Sequence, residues 1–163
     1  MFLNCHTYYS LRYGILSPEE LVKEAAVRGV ERMALTDINN TTGMFDFVKA
    51  CRDAGVLPVA GVEFRNGDEM LYIGLARNRD GFRELNELLT EHALNKEPLP
   101  YPAPALSNIW IVYPLEKVPQ RPLREQERIG MRPAQLSKLL SSPHRHTPAK
   151  LVLLQPVSWV DPE

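Results

Sequence analysis

A short apolar segment that ends in a carboxylate constrains the fold of this chain more than any other stretch. The segment from Met33 to Asp37 follows two charged residues and precedes a polar turn sequence at positions 39–43. An apolar run of this length between such borders is typical of a buried parallel strand. Because ligand sites in parallel α/β folds lie at the carboxyl ends of the strands, Asp37 is the first candidate site residue.

Two other predicted strands end in polar side chains of the same kind. Residues 2–6 form a first strand that ends at His6, and residues 57–63 form a third strand that ends at Glu63. Right-handed crossovers would bring these ends to one face of the sheet. Imidazole and carboxylate groups together could bind zinc or manganese and activate water for phosphoester hydrolysis. The alternative is that His6 packs in a loop and the two carboxylates cap the helices that follow them.

Helical and extended segments alternate along the rest of the chain. Helices are predicted at 17–29, at 43–54, from residue 80 and after residue 132, the first with a capping box formed by Ser17 and Glu20. Further strands are predicted at 70–76, 108–113 and 151–157, with a hairpin turn at 66–68 and an irregular proline-rich segment at 95–107. This order indicates an α/β fold with a mostly parallel sheet.

Composition limits the class of protein. The chain has 163 residues, 44% hydrophobic and 24% charged, which fits one globular domain or a piece of a larger protein. No apolar run approaches the roughly 18 residues of a membrane span, and the first residues do not resemble a signal peptide. With only two cysteines, these features predict a cytoplasmic protein without a disulfide framework or a membrane partner.

The charge is uneven, although the net charge of −1 argues against nucleic-acid binding driven by overall charge. Residues 115–150 carry eight Lys or Arg and three Glu, a balance of +5 against −6 for the other residues. This basic segment is interpreted as a solvated face. The alternative is a surface for an acidic partner or nucleic acid.

Several single residues could belong either to the core or to a functional site. The His144-Arg145-His146 sequence is predicted to be a solvated loop rather than a metal site. Cys5 and Cys51 are predicted to pack in the core, and the Tyr8, Tyr9 and Tyr13 cluster to form a loop over the mouth of the fold. On the second helix, the buried side is predicted to carry Phe45, Val48 and Cys51 with Met44 or Phe47. Trp110 is predicted to be core, and Trp159 to need burial by sequence beyond this chain.

Three segments resemble the polymerase and histidinol phosphatase (PHP) domain, in the version that opens the alpha subunit of bacterial DNA polymerase III. They are Asn4-Cys5-His6-Thr7 with the following Tyr9-Ser10-Leu11, then Ala34-Leu35-Thr36-Asp37, then Gly61-Val62-Glu63-Phe64. The resemblance covers residues 2–92 and is weaker over 93–163. It implies a distorted (β/α)7 barrel similar to a TIM barrel, with up to three metals at its carboxyl face. Because the chain is short for seven units, the barrel is expected to be reduced or open.

The departures from the family sequence fall on metal ligands. The family opens with His-x-His, continues with Thr-Asp-His and often has another His at the start of the fourth strand. This chain has Asn4, Ile38 and Leu71 at those positions, and retains His6, Asp37 and Glu63. An amide oxygen is a poor zinc ligand, and Ile and Leu offer none. A degenerate site without cofactor and without phosphoesterase activity is therefore expected, with a residual zinc or manganese site at the three retained residues as the alternative.

The resemblance also implies a biological setting. Residues 1–163 are expected to be a PHP domain, as a fragment of a polymerase III alpha subunit whose DNA polymerase (nucleotidyltransferase) chemistry lies elsewhere. The expected partners are the rest of that alpha chain, DNA through the parent protein, and a proofreading exonuclease subunit. The alternatives are a metal-dependent phosphoesterase or 3′–5′ exonuclease, and a small-ligand barrel that keeps a phosphate pocket without chemistry.

Overall fold

A computed structural model describes residues 1–157 of the chain, so Trp159 lies outside the described residues. The strands are β1 Asn4–Cys5, β2 Arg32–Leu35, β3 Leu57–Asn66, β4 Glu69–Ala76, β5 Ile109–Pro114, β6 Glu127–Met131, β7 Leu151–Leu153 and β8 Pro156–Val157. The α-helices are α1 Pro18–Val27, α2 Met44–Ala54, α3 Arg79–Asn95 and α4 Leu136–Leu140. Four short 3₁₀ helices, Leu115–Lys117, Pro133–Gln135, Pro143–His146 and Pro148–Lys150, lie in the last third of these residues.

The main sheet contains six strands in the order β2-β3-β4-β5-β6-β7. All neighbours are parallel except β4, which runs antiparallel to β3 and β5, so the predicted hairpin at 66–68 is confirmed. The sheet curls into an open half-barrel. The segment 151–157 spans the gap, since its first half pairs with β6 and its second half pairs with β1, which lies beside β2. The expected α/β fold with a reduced, distorted barrel is confirmed.

The first two helices pack on the outer face of β1 and β2. Ser17 and Glu20 form the predicted capping box of α1, and Gly55 ends α2 in a left-handed conformation with φ of 71°. The predicted buried side of α2 is wrong in part, because Met44, Phe47 and Cys51 are buried whereas Phe45 and Val48 are exposed. Burial follows the side of the helix that meets α1 and β2, which the mixed apolar sequence did not define.

Strand β6 was not predicted from the sequence. Its residues, Glu127-Arg128-Ile129-Gly130-Met131, contain charges and few apolar side chains. Glu127 is nevertheless buried, because both of its oxygens accept hydrogen bonds from the guanidinium of Arg121, at 2.8 and 2.7 Å. In the sequence, a charged segment of this kind is typical of a loop. It forms a strand in the fold because the charge of Glu127 is neutralised by Arg121, six positions earlier.

Trp110 also differs from the prediction, because its side chain is half-buried and lines a surface cavity. Cys5 and Cys51 are buried in one apolar cluster with Met33 and Phe47, as predicted. Among the helices of residues 1–157, none combines the length and the apolar character that crossing a membrane requires.

Candidate functional site

The fold brings His6, Asp37 and Glu63 together at the carboxyl ends of three adjacent parallel segments. The imidazole Nε2 of His6 lies 3.0 Å from Oε2 of Glu63. The backbone N–H of Glu63 donates to the carbonyl oxygen of Asp37 over 3.2 Å. All three residues are buried. The sequence therefore predicted the neighbours correctly, while their role as metal ligands stays a prediction.

Both carboxylate oxygens of Glu63 have cationic or imidazole partners. Oε2 contacts His6, and Oε1 accepts a short hydrogen bond from Nε of Arg65. Burial alone would raise the pKa of Glu63, but the hydrogen bond and charge of His6, together with the charge of Arg65, outweigh burial and lower it. Arg65 lies two positions after Glu63 on the same strand and therefore on the same face. Sequence reasoning overlooked Arg65, although this spacing was the signal that could have found it.

Asp37 is held by three short hydrogen bonds from neutral donors. Its Oδ1 accepts the backbone N–H of Thr7 at 2.8 Å and the hydroxyl of Ser10 at 2.6 Å, and its Oδ2 accepts the hydroxyl of Thr7 at 2.7 Å. Ser10 also accepts the N–H of Ile38 at 2.9 Å. Asp37 thus ties the loop after β1 to the end of β2. Thr7 and Ser10 lie in the segments that carried the family resemblance but had no predicted role.

Asn4 and Ile38 line two different cavities. The buried amide oxygen of Asn4 accepts a hydrogen bond of 3.3 Å from the hydroxyl of Thr36, and Asn4 lines a cavity of about 180 Å³. Ile38 is half-buried and lines a separate cavity of about 400 Å³. Neither position supplies a nitrogen donor beside His6.

Leu71 occupies the third position of β4 and packs in the apolar cluster under α3, with Val62, Phe64 and Leu85. The pairing of β3 with β4 shifts register after Phe64, so Leu71 is skipped between two paired residues. Its neighbour Met70 lines the same cavity as Asn4. The side chain that β4 presents toward the barrel mouth is therefore Met70, a feature that depends on the bulge and is invisible in the sequence.

The cavity beside Ile38 is lined by tyrosine and arginine side chains. Tyr9, Tyr13, Arg12 and Arg65 contribute to its walls, and the guanidinium of Arg65 lies 4.1 Å from the centre of the Tyr13 ring. Tyr8 stacks at a tilt on Tyr9, with 4.6 Å between ring centres. These tyrosines lie in the loop after β1, beside the mouth of the half-barrel.

Whether His6, Asp37 and Glu63 bind a metal stays a prediction, and the surroundings of these residues bear on it. Within residues 1–157, no three His, Cys, Asp or Glu side chains have the spacing of a metal site. The guanidinium of Arg65 on Glu63 also places a positive charge where a cation would bind. Cys5 and Cys51 add no thiolate, because burial raises the pKa of each thiol to about 12.

The other candidate segments lie elsewhere. His144 and His146 belong to a short 3₁₀ helix, where Nε of Arg145 donates to Nε2 of His146 over 2.8 Å. Several cations of the basic segment contact nearby acceptors: Lys117 with Glu69, Arg121 with Glu127, and Lys138 with Glu116. The basic segment therefore presents less free charge than its sequence indicates.

Comparison with known proteins defines the class. Residues 3–113 match the PHP domain family, and this chain belongs to that family. More closely, it is homologous to the N-terminal region of DNA polymerase III alpha subunits. DNA polymerase III subunit alpha of Escherichia coli is 34% identical over 95 residues, which cover 55% of this chain and 8% of the subunit. The error-prone DNA polymerase of Symbiobacterium thermophilum is 33% identical over 96 residues, which cover 59% of this chain and 9% of that polymerase.

The fold has a counterpart among solved structures. A Bifidobacterium adolescentis protein assigned as a metal-dependent phosphoesterase superposes with a TM-score of 0.53 at 15% identity. The match covers 98% of this chain and 86% of that chain. Identity at this level bears on the fold alone. The polymerase relatives are longer by far, since this chain spans about a tenth of their length or less.

Proposed function

We propose that this chain is a PHP domain of a replicative DNA polymerase in which the metal site is degenerate and the domain serves as a docking platform. One observation carries the first half of the proposal. The carboxylate of Glu63 is shared between His6 and Arg65, so both of its oxygens already have protein partners. A divalent cation at this place would have to displace the half-buried guanidinium of Arg65 or bind next to its positive charge.

The hydrogen bonds of Asp37 support the same half of the proposal. Three donors from Thr7 and Ser10 occupy most of the acceptor sites of its carboxylate, which gives Asp37 a structural role. With Asn4 and Ile38 in place of two imidazoles, His6 is the one nitrogen donor left at these family positions. We therefore expect neither zinc nor manganese to bind stoichiometrically, and no hydrolysis of phosphoesters.

The test is metal content and turnover on the same preparation. The chain is purified without chelator, zinc and manganese are measured by mass spectrometry, and hydrolysis of bis(p-nitrophenyl) phosphate is followed with each metal added. We expect well below one metal per chain and no turnover. The triple variant Asn4→His, Ile38→His, Arg65→Met should bind more metal than the matched variant Asn4→His, Ile38→His, Arg83→Met, which keeps Arg65. Stoichiometric metal with turnover in the unmodified chain would overturn the proposal.

A metal-dependent phosphoesterase or 3′–5′ exonuclease is the second candidate. Family membership and the retained His6, Asp37 and Glu63 favour it. In that case His6→Ala and Glu63→Gln should each abolish turnover while a matched exposed variant, His146→Ala, keeps it. Cleavage of a 3′-labelled single strand would separate an exonuclease from a general phosphoesterase.

Docking is supported by apolar side chains on the outer surface. Phe45 on α2 is 78% exposed and meets the half-buried Phe82 of α3 edge to face, with 6.5 Å between ring centres. Exposed aromatic pairs of this kind often contribute to protein interfaces. The partners proposed are the remainder of the polymerase chain and a proofreading exonuclease subunit of the same organism.

Titration calorimetry with that purified exonuclease subunit tests docking. We expect Phe45→Ser to weaken binding about tenfold or more, which corresponds to about 1.4 kcal/mol. The control is Val27→Ser, which removes an equally exposed apolar side chain from α1. Absence of binding by the unmodified chain would refute docking of the exonuclease and leave the metal result untouched.

A further inference from the structure

A second cavity, of about 470 Å³, opens at the end of the half-barrel opposite to His6 and Glu63. Three residues that line it lie at the amino ends of parallel strands. Arg32 is the first residue of β2, Trp110 is the second residue of β5, and Arg128 is the second residue of β6. Arg77 follows the last residue of the antiparallel β4, at the same end of the sheet. None of the residues that line this cavity belongs to the cluster at the other mouth, so the two are separate sites.

The cavity combines an apolar floor with a basic rim. Leu3, Val59, Leu75, Val112 and Val152 line it, and no Asp or Glu does. Its volume lies within the range of about 300–1,000 Å³ that is typical of small-molecule sites. An apolar floor with a few convergent charged groups favours a ligand that has an apolar body and a charged end.

The rim arginines are held in place without carboxylate partners. The guanidinium of Arg128 lies 4.3 Å from the centre of the Trp110 ring, and that of Arg77 lies at 5.3 Å. Nη1 of Arg128 also donates to the carbonyl oxygens of Glu125 and Glu127, at 2.5 and 2.9 Å. Within residues 1–157, neither these two arginines nor Arg32 forms an ion pair. Their positive charge is therefore oriented and not neutralised.

We propose that this cavity binds a small organic anion, one carboxylate, phosphate or sulfonate group on an aromatic or branched apolar body. The anionic group would lie between Arg77 and Arg128, whose planar donors suit oxyanions. The apolar body would contact Leu75 and Val59 on the floor. At the amino ends of parallel strands, the site lies away from the carboxyl face where catalysis in barrel folds occurs, so its role is binding.

A nucleic acid base is a poorer occupant than such an anion. The ring of Trp110 already carries two guanidinium groups over its faces, within 4.3 and 5.3 Å, so a base could stack there only by displacing one of them. Phosphate alone would leave the apolar floor without a contact. The combination of rim and floor therefore selects an amphiphilic anion over either component.

The probe for this site is 8-anilinonaphthalene-1-sulfonate, compared with its neutral parent N-phenyl-1-naphthylamine. The chain carries Trp159→Phe, which leaves Trp110 as its single tryptophan. We expect the sulfonate to bind saturably and to quench the emission of Trp110, with half of each change at the same sulfonate concentration. The neutral compound should bind at least tenfold more weakly. Equal binding of the two compounds, or sulfonate binding without any change in Trp110 emission, would overturn the proposal.

The double variant Arg77→Gln, Arg128→Gln should weaken sulfonate binding at least tenfold. The matched control, Arg83→Gln with Arg145→Gln, removes the same charge from exposed positions outside the cavity and should bind as before. Far-ultraviolet circular dichroism reports whether each variant folds, and the comparison of charged and neutral probes tests the proposal even if the double variant does not. Unchanged binding by a folded double variant, or displacement of the probe by an acidic peptide but not by phenylpropionate, would overturn it.

Discussion

Glu63 and Glu127 are both fully buried glutamates in strands, and each is paired with an arginine, but their surroundings differ. The carboxylate of Glu127 accepts hydrogen bonds from Nη1 and Nη2 of Arg121. It also accepts hydrogen bonds from the backbone N–H of Arg124 at 2.7 Å and from the hydroxyl of Tyr113 at 3.1 Å. Tyr113 in turn accepts the N–H of Ala103, so this network holds the proline-rich segment against β5 and β6.

Glu63 instead lies at neighbouring strand ends, with His6 and Arg65 as partners, and Arg65 lines a cavity. Under the proposed function, these surroundings belong to a degenerate metal site in which Arg65 pairs with the carboxylate. A buried carboxylate paired with an arginine can be purely structural, as Glu127 is, whereas the proposed function assigns Glu63 to a degenerate site. The two residues differ in that Glu127 also accepts the backbone N–H of Arg124, whereas the arginine partner of Glu63 lines a cavity.

The largest expected effect is the loss of Glu127. Glu127→Ala leaves the hydroxyl of Tyr113 and the N–H of Arg124 without their acceptor and removes the partner of Arg121. We expect the free energy of unfolding to fall by about 3 kcal/mol, the order found when one partner of a buried ion pair is removed. Urea denaturation measures this value. A loss below about 1 kcal/mol, the size of a single net hydrogen bond, would show that the network contributes little.

Loss of Glu63 should cost less. Glu63→Ala frees His6 and Arg65, but Arg65 lines the neighbouring cavity, where water can solvate its guanidinium. We expect a decrease of about 1–2 kcal/mol, as for a polar group that loses its partner without complete isolation from water. The same urea titration gives the value. If Glu63→Ala destabilises as much as Glu127→Ala, the proposed difference between the two sites is wrong.

Acid should act on both glutamates in the same direction. In each case burial raises the pKa, but the positive partners outweigh it and the folded-state pKa lies below the ordinary value. Ionised carboxylates therefore stabilise the fold fully above about pH 4.3, the unfolded value. This contribution is lost as pH falls through the folded pKa.

The midpoint of urea denaturation, measured from pH 6 to pH 3, should decrease as the pH is lowered below about 4.3. The decline should be shallower in Glu127→Gln, which has no charge to lose at that position. An equal decline in the variant and in the unmodified chain would assign the acid sensitivity to other carboxylates.

The smallest effect is expected for Glu69, an exposed carboxylate paired with Lys117. Its side chain is 55% exposed, so water and salt screen the pair. Glu69→Gln should change the free energy of unfolding by no more than about 0.5 kcal/mol, and added salt should remove the change. The variant provides the reference for an ion pair without burial. A larger, salt-insensitive loss would show that burial is not what separates the three glutamates.

Much of the fold followed from local sequence. Ser17 with Glu20 marked the start of α1, the turn at 66–68 marked the β3–β4 hairpin, and apolar runs marked the parallel strands. Strand β6 escaped prediction because its buried Glu127 depends on Arg121, a partner that only the folded chain supplies. Phe45 was predicted to be buried for a related reason. Because α2 has apolar residues on more than one side, its sequence does not define which side packs against the rest of the protein.

The candidate site was predicted in part. His6, Asp37 and Glu63 could be grouped because side chains at the ends of parallel strands share one face. Arg65 was overlooked, although its spacing from Glu63 places both on one face of the strand. The hydrogen bonds from Thr7 and Ser10 could not be assigned in this way, because a polar side chain near a carboxylate has many alternative partners in sequence. The position of Leu71 depended on a register shift between β3 and β4.

The sequence by itself determined the α/β class and the placement of His6, Asp37 and Glu63 at neighbouring strand ends, because these follow from periodicity and local order, and its short motifs indicated the family. Only the tertiary structure decided what surrounds those side chains: the arginine on Glu63, the donors on Asp37, and the arginine-rimmed cavity at the opposite mouth. Partners of buried charges are chosen by distance in space, and residues such as Arg77, Trp110 and Arg128 come together only when strands far apart in the chain align.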